Sequence, residues 1–155
     1  MDEDLVTSVA REMVEQCAPE ELPMFEATSE AFVADPDRVE KEVARDEMLG
    51  FGVETAAVAI APYALAIARH VVATLLEQME GALAEESEGF IRDRVRALFK
   101  RFRGSGTTTE EPPRLTSEQL GSVKAAAIAK ASELGLPEAQ GRLLADSVAG
   151  SLATA

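Results

Sequence analysis

The sequence predicts an all-α protein, in which a helical bundle with a central apolar helix is followed by a linker and a C-terminal helical hairpin. Apolar residues recur every three or four positions through most of the 155 residues, which is the spacing of one side of a helix. Alanine dominates the apolar fraction and favours helix over strand. Prolines and glycines fall where the periodic segments begin or end. We therefore expect a bundle over residues 1–103, a flexible linker over 104–114 and a hairpin over 115–155.

Three helices are predicted before the central one. The first carries an apolar stripe and ends before Pro19, and the second follows it directly. A third helix is predicted to begin at Asp35 and Pro36, because aspartate caps helices and proline is favoured at the first helical position. Gly50 is expected to end it. The side chains expected to face the core on these helices are Leu5, Val9, Met13, Phe25, Phe32, Val39 and Val43.

The central helix is predicted over residues 53–80, with a kink or a break at Pro62. Residues 50–68 contain one charge, Glu54, and are long enough to cross the roughly 30 Å hydrocarbon core of a membrane. Their strongly apolar side chains contribute about −3 kcal/mol to insertion, which one buried carboxylate nearly cancels. We therefore prefer a helix buried inside a soluble bundle, and keep a membrane-inserting helix as the alternative.

A basic amphipathic helix is predicted from its N-cap at Ser87 to about Phe102. Residues 90–103 carry a charge of +5, whereas the whole chain carries −13. Basic side chains beside an apolar stripe suit a protein partner or an anionic membrane surface. Pairing of these side chains with the acidic N-terminal helices is the preferred alternative. The candidate contact residues are Arg92, Arg94, Arg96, Lys100, Arg101 and Arg103.

The C-terminal hairpin is predicted from its start and turn signals. Residues 104–114 are small, polar and rich in proline, which is typical of a linker. Thr116 and Gln119 form a capping-box pattern, and Gly135 and Pro137 indicate where one helix ends and the next begins. A hairpin this small is expected to dock on the bundle, on a copy of itself or on a partner. Its predicted apolar seam consists of Leu120, Val123, Ala127, Leu134, Leu144, Val148 and Leu152.

The composition excludes several classes of protein. The acidic charge argues against nucleic-acid binding, because clustered lysine and arginine are needed to neutralise phosphates. The chain begins Met-Asp-Glu-Asp, which is acidic where a signal peptide is basic, so export is not expected. The single cysteine, Cys17, excludes an intrachain disulfide and a structural zinc site built from thiolates. These observations favour a cytoplasmic protein.

Motifs for catalysis, cofactors or metals are poorly represented in the sequence. The one histidine, His70, is preceded three positions earlier by Ile67, so the Glu-x-x-His pattern of metal-binding bundles is absent. Cys17 and His70 would form a nucleophile–base pair only if folding brought them together. We therefore expect no enzyme activity, no cofactor and no metal.

The expected function is that of a helical interaction or assembly protein. Such a protein would bind itself or a protein partner through the basic helix or the C-terminal hairpin. The alternative is a membrane-active protein that exposes the apolar helix over 53–80 together with the basic segment over 90–103. An architecture shared with adaptor proteins does not decide between these functions, because one fold can support many activities.

Overall fold

The computed structural model describes residues 3–48, 59–82, 84–99 and 114–153, and within these ranges it contains helices and no strand. The all-α prediction is therefore confirmed. A short 3-10 turn at Pro19–Glu21 joins the first two helices. The helices are α1 (Glu3–Cys17), α2 (Leu22–Ala34), α3 (Pro36–Met48), α4 (Ala61–Ala82), α5 (Glu88–Ala97), α6 (Ser117–Glu133) and α7 (Glu138–Gly150).

Helix α4 lies at the centre of the fold. Helices α1, α2, α3, α5 and α6 all pack against it. Every side chain from Tyr63 to Ala68 is buried, and Val71, Val72 and Leu75 continue the buried surface toward the middle of the helix. A helix surrounded by others in this way has to be apolar on all sides, which explains its alanine-rich sequence. The preferred sequence interpretation, a helix buried in a bundle, agrees with this packing.

The start of α4 differs from the prediction. Residues 59 and 60 are not helical, and the helix begins at Ala61. Pro62 therefore lies in the first turn instead of at a kink, because the amide that proline lacks would have no intrahelical partner there. The earlier part of the predicted helix, residues 53–58, lies outside the described residues.

A carboxylate from a distant turn caps the start of α4. Glu21, in the 3-10 turn after α1, accepts hydrogen bonds from the backbone amides of Ile60 and Ala61, at 2.8 and 2.9 Å. The first amides of a helix have no partner within the helix, and the helix dipole favours a negative charge beside them. Glu21 satisfies both requirements and ties the α1–α2 connection to the central helix.

The local capping predictions are confirmed. The Asp35 side chain accepts a hydrogen bond from the amide of Arg38 at 3.2 Å. The Ser87 hydroxyl accepts one from the third residue of α5, also at 3.2 Å. Thr116 and Gln119 form both bonds of a capping box. These caps orient the starts of α3, α5 and α6 respectively.

Helix α5 ends at Ala97, which is earlier than the sequence predicts. After it, the Leu98 carbonyl accepts a hydrogen bond of 2.7 Å from the amide of Ala153, which follows α7. The Ala153 carbonyl in turn accepts one of 2.9 Å from Leu115, which precedes α6. Phe99 also pairs with Leu152 in an isolated bridge. Leu98 and Phe99 therefore belong to a backbone junction between three segments instead of continuing the helix, and residues 100–102 of the predicted helix lie outside the described residues.

The C-terminal hairpin packs on the rest of the chain. Helices α6 and α7 contact each other, α6 contacts α4, and α7 contacts α1. A Cβ atom added at Gly141 would lie 3.1 Å from the Cβ of Ala131, so glycine at this position allows α6 and α7 to approach closely. One hydrophobic cluster contains residues of the bundle and of the hairpin. Of the predicted seam, Leu120 is half-buried, and the buried members are Val123, Ala127, Leu134, Leu144, Val148 and Leu152.

Candidate functional site

The outer side of α5 is the candidate interaction surface. Ile91 and Val95 are buried and hold the helix against α4. Next to this buried stripe, Phe90 is 37% exposed, and the guanidinium carbon of Arg94 lies 5.9 Å from the centroid of the Phe90 ring. This distance allows a cation–π contact, which keeps an aromatic ring and a positive charge together at the surface. Phe90 and Arg94 lie on one flank of the buried stripe and Arg92 and Arg96 on the other, with the exposed Asp93 between the two pairs. We call Phe90, Arg92, Arg94 and Arg96 together the basic face of α5.

The structure describes three of the six basic residues predicted to contact a partner. Arg92 is exposed and forms an ion pair of 3.8 Å with Glu88 on the same helix. Arg94 and Arg96 are half-buried, and the buried Nε of Arg94 has no hydrogen-bond partner. Lys100, Arg101 and Arg103 lie outside the described residues.

The acidic helix α3 is paired with cations other than those expected. The Arg69 guanidinium of α4 lies 3.4 Å from the Glu40 carboxylate and 3.5 Å from that of Asp37. The Lys130 ammonium of α6 lies 2.9 Å from Glu40. Sequence reasoning missed both cations, because nothing in the pattern of α4 or α6 indicates that Arg69 or Lys130 meets a carboxylate of α3. It assigned this pairing to the basic segment, but the ion pair of Arg92 is made within α5.

Glu40 is the centre of this ion-pair cluster. Its side chain is 13% exposed and that of Lys130 is 14% exposed, so the pair is largely shielded from water. A shielded carboxylate is stable only when its charge is compensated, and here one carboxylate bridges α4 and α6 from α3. The cluster therefore fixes how α3 lies on the other two helices.

We expect Glu40→Gln to lower the free energy of unfolding by about 2 kcal/mol, because Lys130 would lose its closest counter-charge in a shielded position. Glu42→Gln is the matched control, since Glu42 is exposed and pairs with Arg38 on its own helix; its effect should stay below about 0.5 kcal/mol. Urea unfolding followed by circular dichroism measures both. Equal effects of the two substitutions would show that the cluster does not hold α3.

Cys17 and His70 are placed in different environments. The Cys17 sulfur lies 3.9 Å from the Leu143 carbonyl of α7, and burial raises the pKa of its thiol, which a hydrogen bond with Ser147 partly offsets. A thiol with a raised pKa stays protonated at neutral pH and is a weak nucleophile. His70 is exposed on α4. Among the described residues, no group of three or more histidine, cysteine or acidic side chains is arranged to hold a metal ion.

A small cavity lies where α1, α2, α3 and α4 meet. Its volume is about 130 Å³, and its lining includes Val6, Phe32, Val33 and Arg69. Sites for small molecules usually measure about 300–1,000 Å³, so this cavity is too small for a typical substrate. It is better explained as a packing gap at the edge of the core.

The chain matches no protein-family model, no curated protein and no solved structure. Within the part of the chain that the structure describes, no helix combines the length and apolar character needed to cross a membrane. The geometry of the described surfaces is therefore the basis for a functional proposal.

Proposed function

We propose that this chain is a non-enzymatic assembly protein of the cytoplasm that binds a second copy of itself through the basic face of α5. The observation that carries the proposal is the exposed Phe90 ring beneath the Arg94 guanidinium, on the outward side of a peripheral helix. Aromatic and arginine side chains are enriched in protein interfaces and supply much of their binding energy.

The charge distribution supports self-association through this face. Residues 90–103 carry +5, which leaves −18 on the remainder of the chain. The described part of this segment, residues 90–99, carries +2 from three arginines and one aspartate. Two copies that approach through their acidic surfaces repel each other, whereas the basic face of one copy attracts the acidic surface of the other. Opposite charges on separate parts of one chain therefore select a particular orientation of the two copies.

The hairpin seam and helix α4 are less suited to binding a partner. The predicted hairpin seam is already buried against the bundle, apart from the half-buried Leu120. Helix α4 would have to leave the core before it could meet lipid, and its residues from Tyr63 to Ala68 are fully enclosed. No contact in the described structure favours the membrane-active alternative over binding through α5.

Replacement of the basic face should abolish self-association. We expect the wild-type chain at tens of micromolar to show about twice the 16.5 kDa mass of one chain by size-exclusion chromatography with light scattering. The double variant Phe90→Ala/Arg92→Glu should return to the mass of one chain, because it removes the exposed ring and reverses an exposed charge.

The matched control is Arg142→Glu/Leu143→Ala on α7. Arg142 pairs with Glu138 four residues earlier, as Arg92 pairs with Glu88, and Leu143 is 53% exposed. This control should keep the wild-type mass. A monomeric wild-type chain that floats with anionic phospholipid vesicles, and loses that binding in the α5 variant, would contradict the proposal and favour a membrane-binding function.

A further inference from the structure

Helix α3 is held to the bundle more by charge than by burial. Of the α3 side chains that the structure describes, residues 36–44, none is fully buried. Each of the other α-helices buries at least two side chains. The half-buried Val39 and Val43 pack against the hydrophobic cluster. Because burial of apolar side chains supplies most of the stability of a packed helix, α3 gains less from its packing than its neighbours do.

Gaps in the packing lie on two sides of α3. The cavity of about 130 Å³ between α1, α2, α3 and α4 has Pro36, the first residue of α3, in its lining. A groove of about 370 Å³ lies between α3 and α6, with Ala44 on one wall and Leu134 on the other. Atoms on opposite sides of a gap lose their dispersion contacts. The ion pair of Glu40 with Lys130, at 2.9 Å, therefore joins α3 to α6 where apolar packing is incomplete.

A single residue connects α2 to α3. Asp35 has an extended backbone, with φ of −156° and ψ of 83°, because the proline that follows it disfavours a helical conformation. Its amide donates to Ala31 of α2, and its carbonyl accepts from Val39 of α3. Rotation about the backbone of Asp35 therefore moves α3 without breaking the hydrogen bonds within either helix. Residues 49–60 separate α3 from α4 and can span roughly 40 Å, so the second connection also permits this movement.

We propose that α3 opens from the bundle as a unit about Asp35 while the other helices stay packed, and that the Glu40–Lys130 ion pair controls how often it opens. Segments with few buried apolar contacts open at a lower free energy than the core of a protein. Opening uncovers Arg69 and the side of α4 beneath α3, so α3 controls access to the central helix. This inference does not rest on self-association, because α3 and α5 pack on α4 as separate helices.

Hydrogen exchange of the full chain, followed by mass spectrometry at urea concentrations below the unfolding transition, tests this opening. We expect the protection factors of α3 amides to be at least tenfold lower than those of α2, which buries Phe25 and Phe32. Exchange of α3 should depend only weakly on urea, because opening one helix exposes little new surface. Equal protection and equal urea dependence of α2 and α3 would show that α3 does not open by itself.

Lys130→Gln tests the ion pair without changing the sequence of α3. We expect it to lower the protection of α3 about tenfold, with the urea dependence still weak, because Glu40 loses its closest counter-charge. Lys124→Gln is the matched control on the same helix, since the ion pair of Lys124 with Asp146, at 3.1 Å, joins α6 to α7. The control should keep the protection of α3 within about twofold of wild type. Equal protection of α3 in the two variants would contradict control of the opening by the Glu40–Lys130 pair.

Discussion

Ala64→Asp is expected to remove most of the stability of the fold, whereas Ala125→Asp should leave the protein folded. Ala64 is 0% exposed near the start of α4, where a carboxylate would be buried away from water. A buried, unpaired charge costs several kcal/mol, and domains of this size are stable by only about 5–15 kcal/mol. Ala125 is exposed on α6, so the same substitution there keeps its carboxylate in water.

The comparison of these two variants tests the central position of α4 directly. Circular dichroism at 222 nm and urea unfolding should show a loss of cooperative unfolding, or a much lower midpoint, for Ala64→Asp only. If both aspartate variants unfolded at the wild-type urea concentration, one side of α4 would have to be open to water. The buried helix, and the packing of five other helices around it, would then be wrong.

Glu21→Ala is expected to lower the free energy of unfolding by about 2–3 kcal/mol. The substitution removes two short hydrogen bonds to the amides of Ile60 and Ala61, together with the negative charge at the start of α4. Loss of a helix cap costs about 0.5–2 kcal/mol, and hydrogen bonds to a charged group contribute more than neutral ones. Glu21→Gln should cost about 1 kcal/mol, because an amide keeps one acceptor oxygen but loses the charge.

The matched control for Glu21 is its neighbour in the same 3-10 turn. Glu20 is exposed, and Glu20→Ala should change the free energy of unfolding by less than about 0.5 kcal/mol. Thermal and urea unfolding measure all three variants. Equal stability of Glu20→Ala and Glu21→Ala would show that the carboxylate of Glu21 does not cap the central helix in solution.

Several features were predictable because their causes lie within a few residues. The side chains of Asp35, Ser87 and Thr116 each cap an amide three residues later, so the pattern of residue types is sufficient to identify them. The apolar character of residues 63–68 likewise indicated a helix covered on all sides. The basic side of α5 was visible from the spacing of its arginines, although half of the predicted contact residues lie outside the described structure.

Other features depend on contacts between distant parts of the chain. The start of α4 is capped from about 40 residues away. The carbonyl of Leu98, directly after α5, accepts a hydrogen bond from the amide of Ala153, which follows α7. The cations that bind Glu40 come from α4 and α6, and the pattern within either helix does not indicate that Glu40 is their partner. Periodicity reports which side of a helix is apolar, but it carries no information about which distant donor or acceptor that helix meets.

The sequence by itself determines some features of this protein and not others, because the interactions behind them act over different distances along the chain. Helix content, the caps and the apolar sides arise from interactions between residues three or four apart, so they can be read along the chain. Only folding brings together the groups that set the start of α4 and the end of α5. The same holds for the cations that pair with Glu40 of α3 and for the burial of the hairpin seam. In those places a buried charge or backbone group finds its partner on another segment, so the feature depends on how the whole molecule packs.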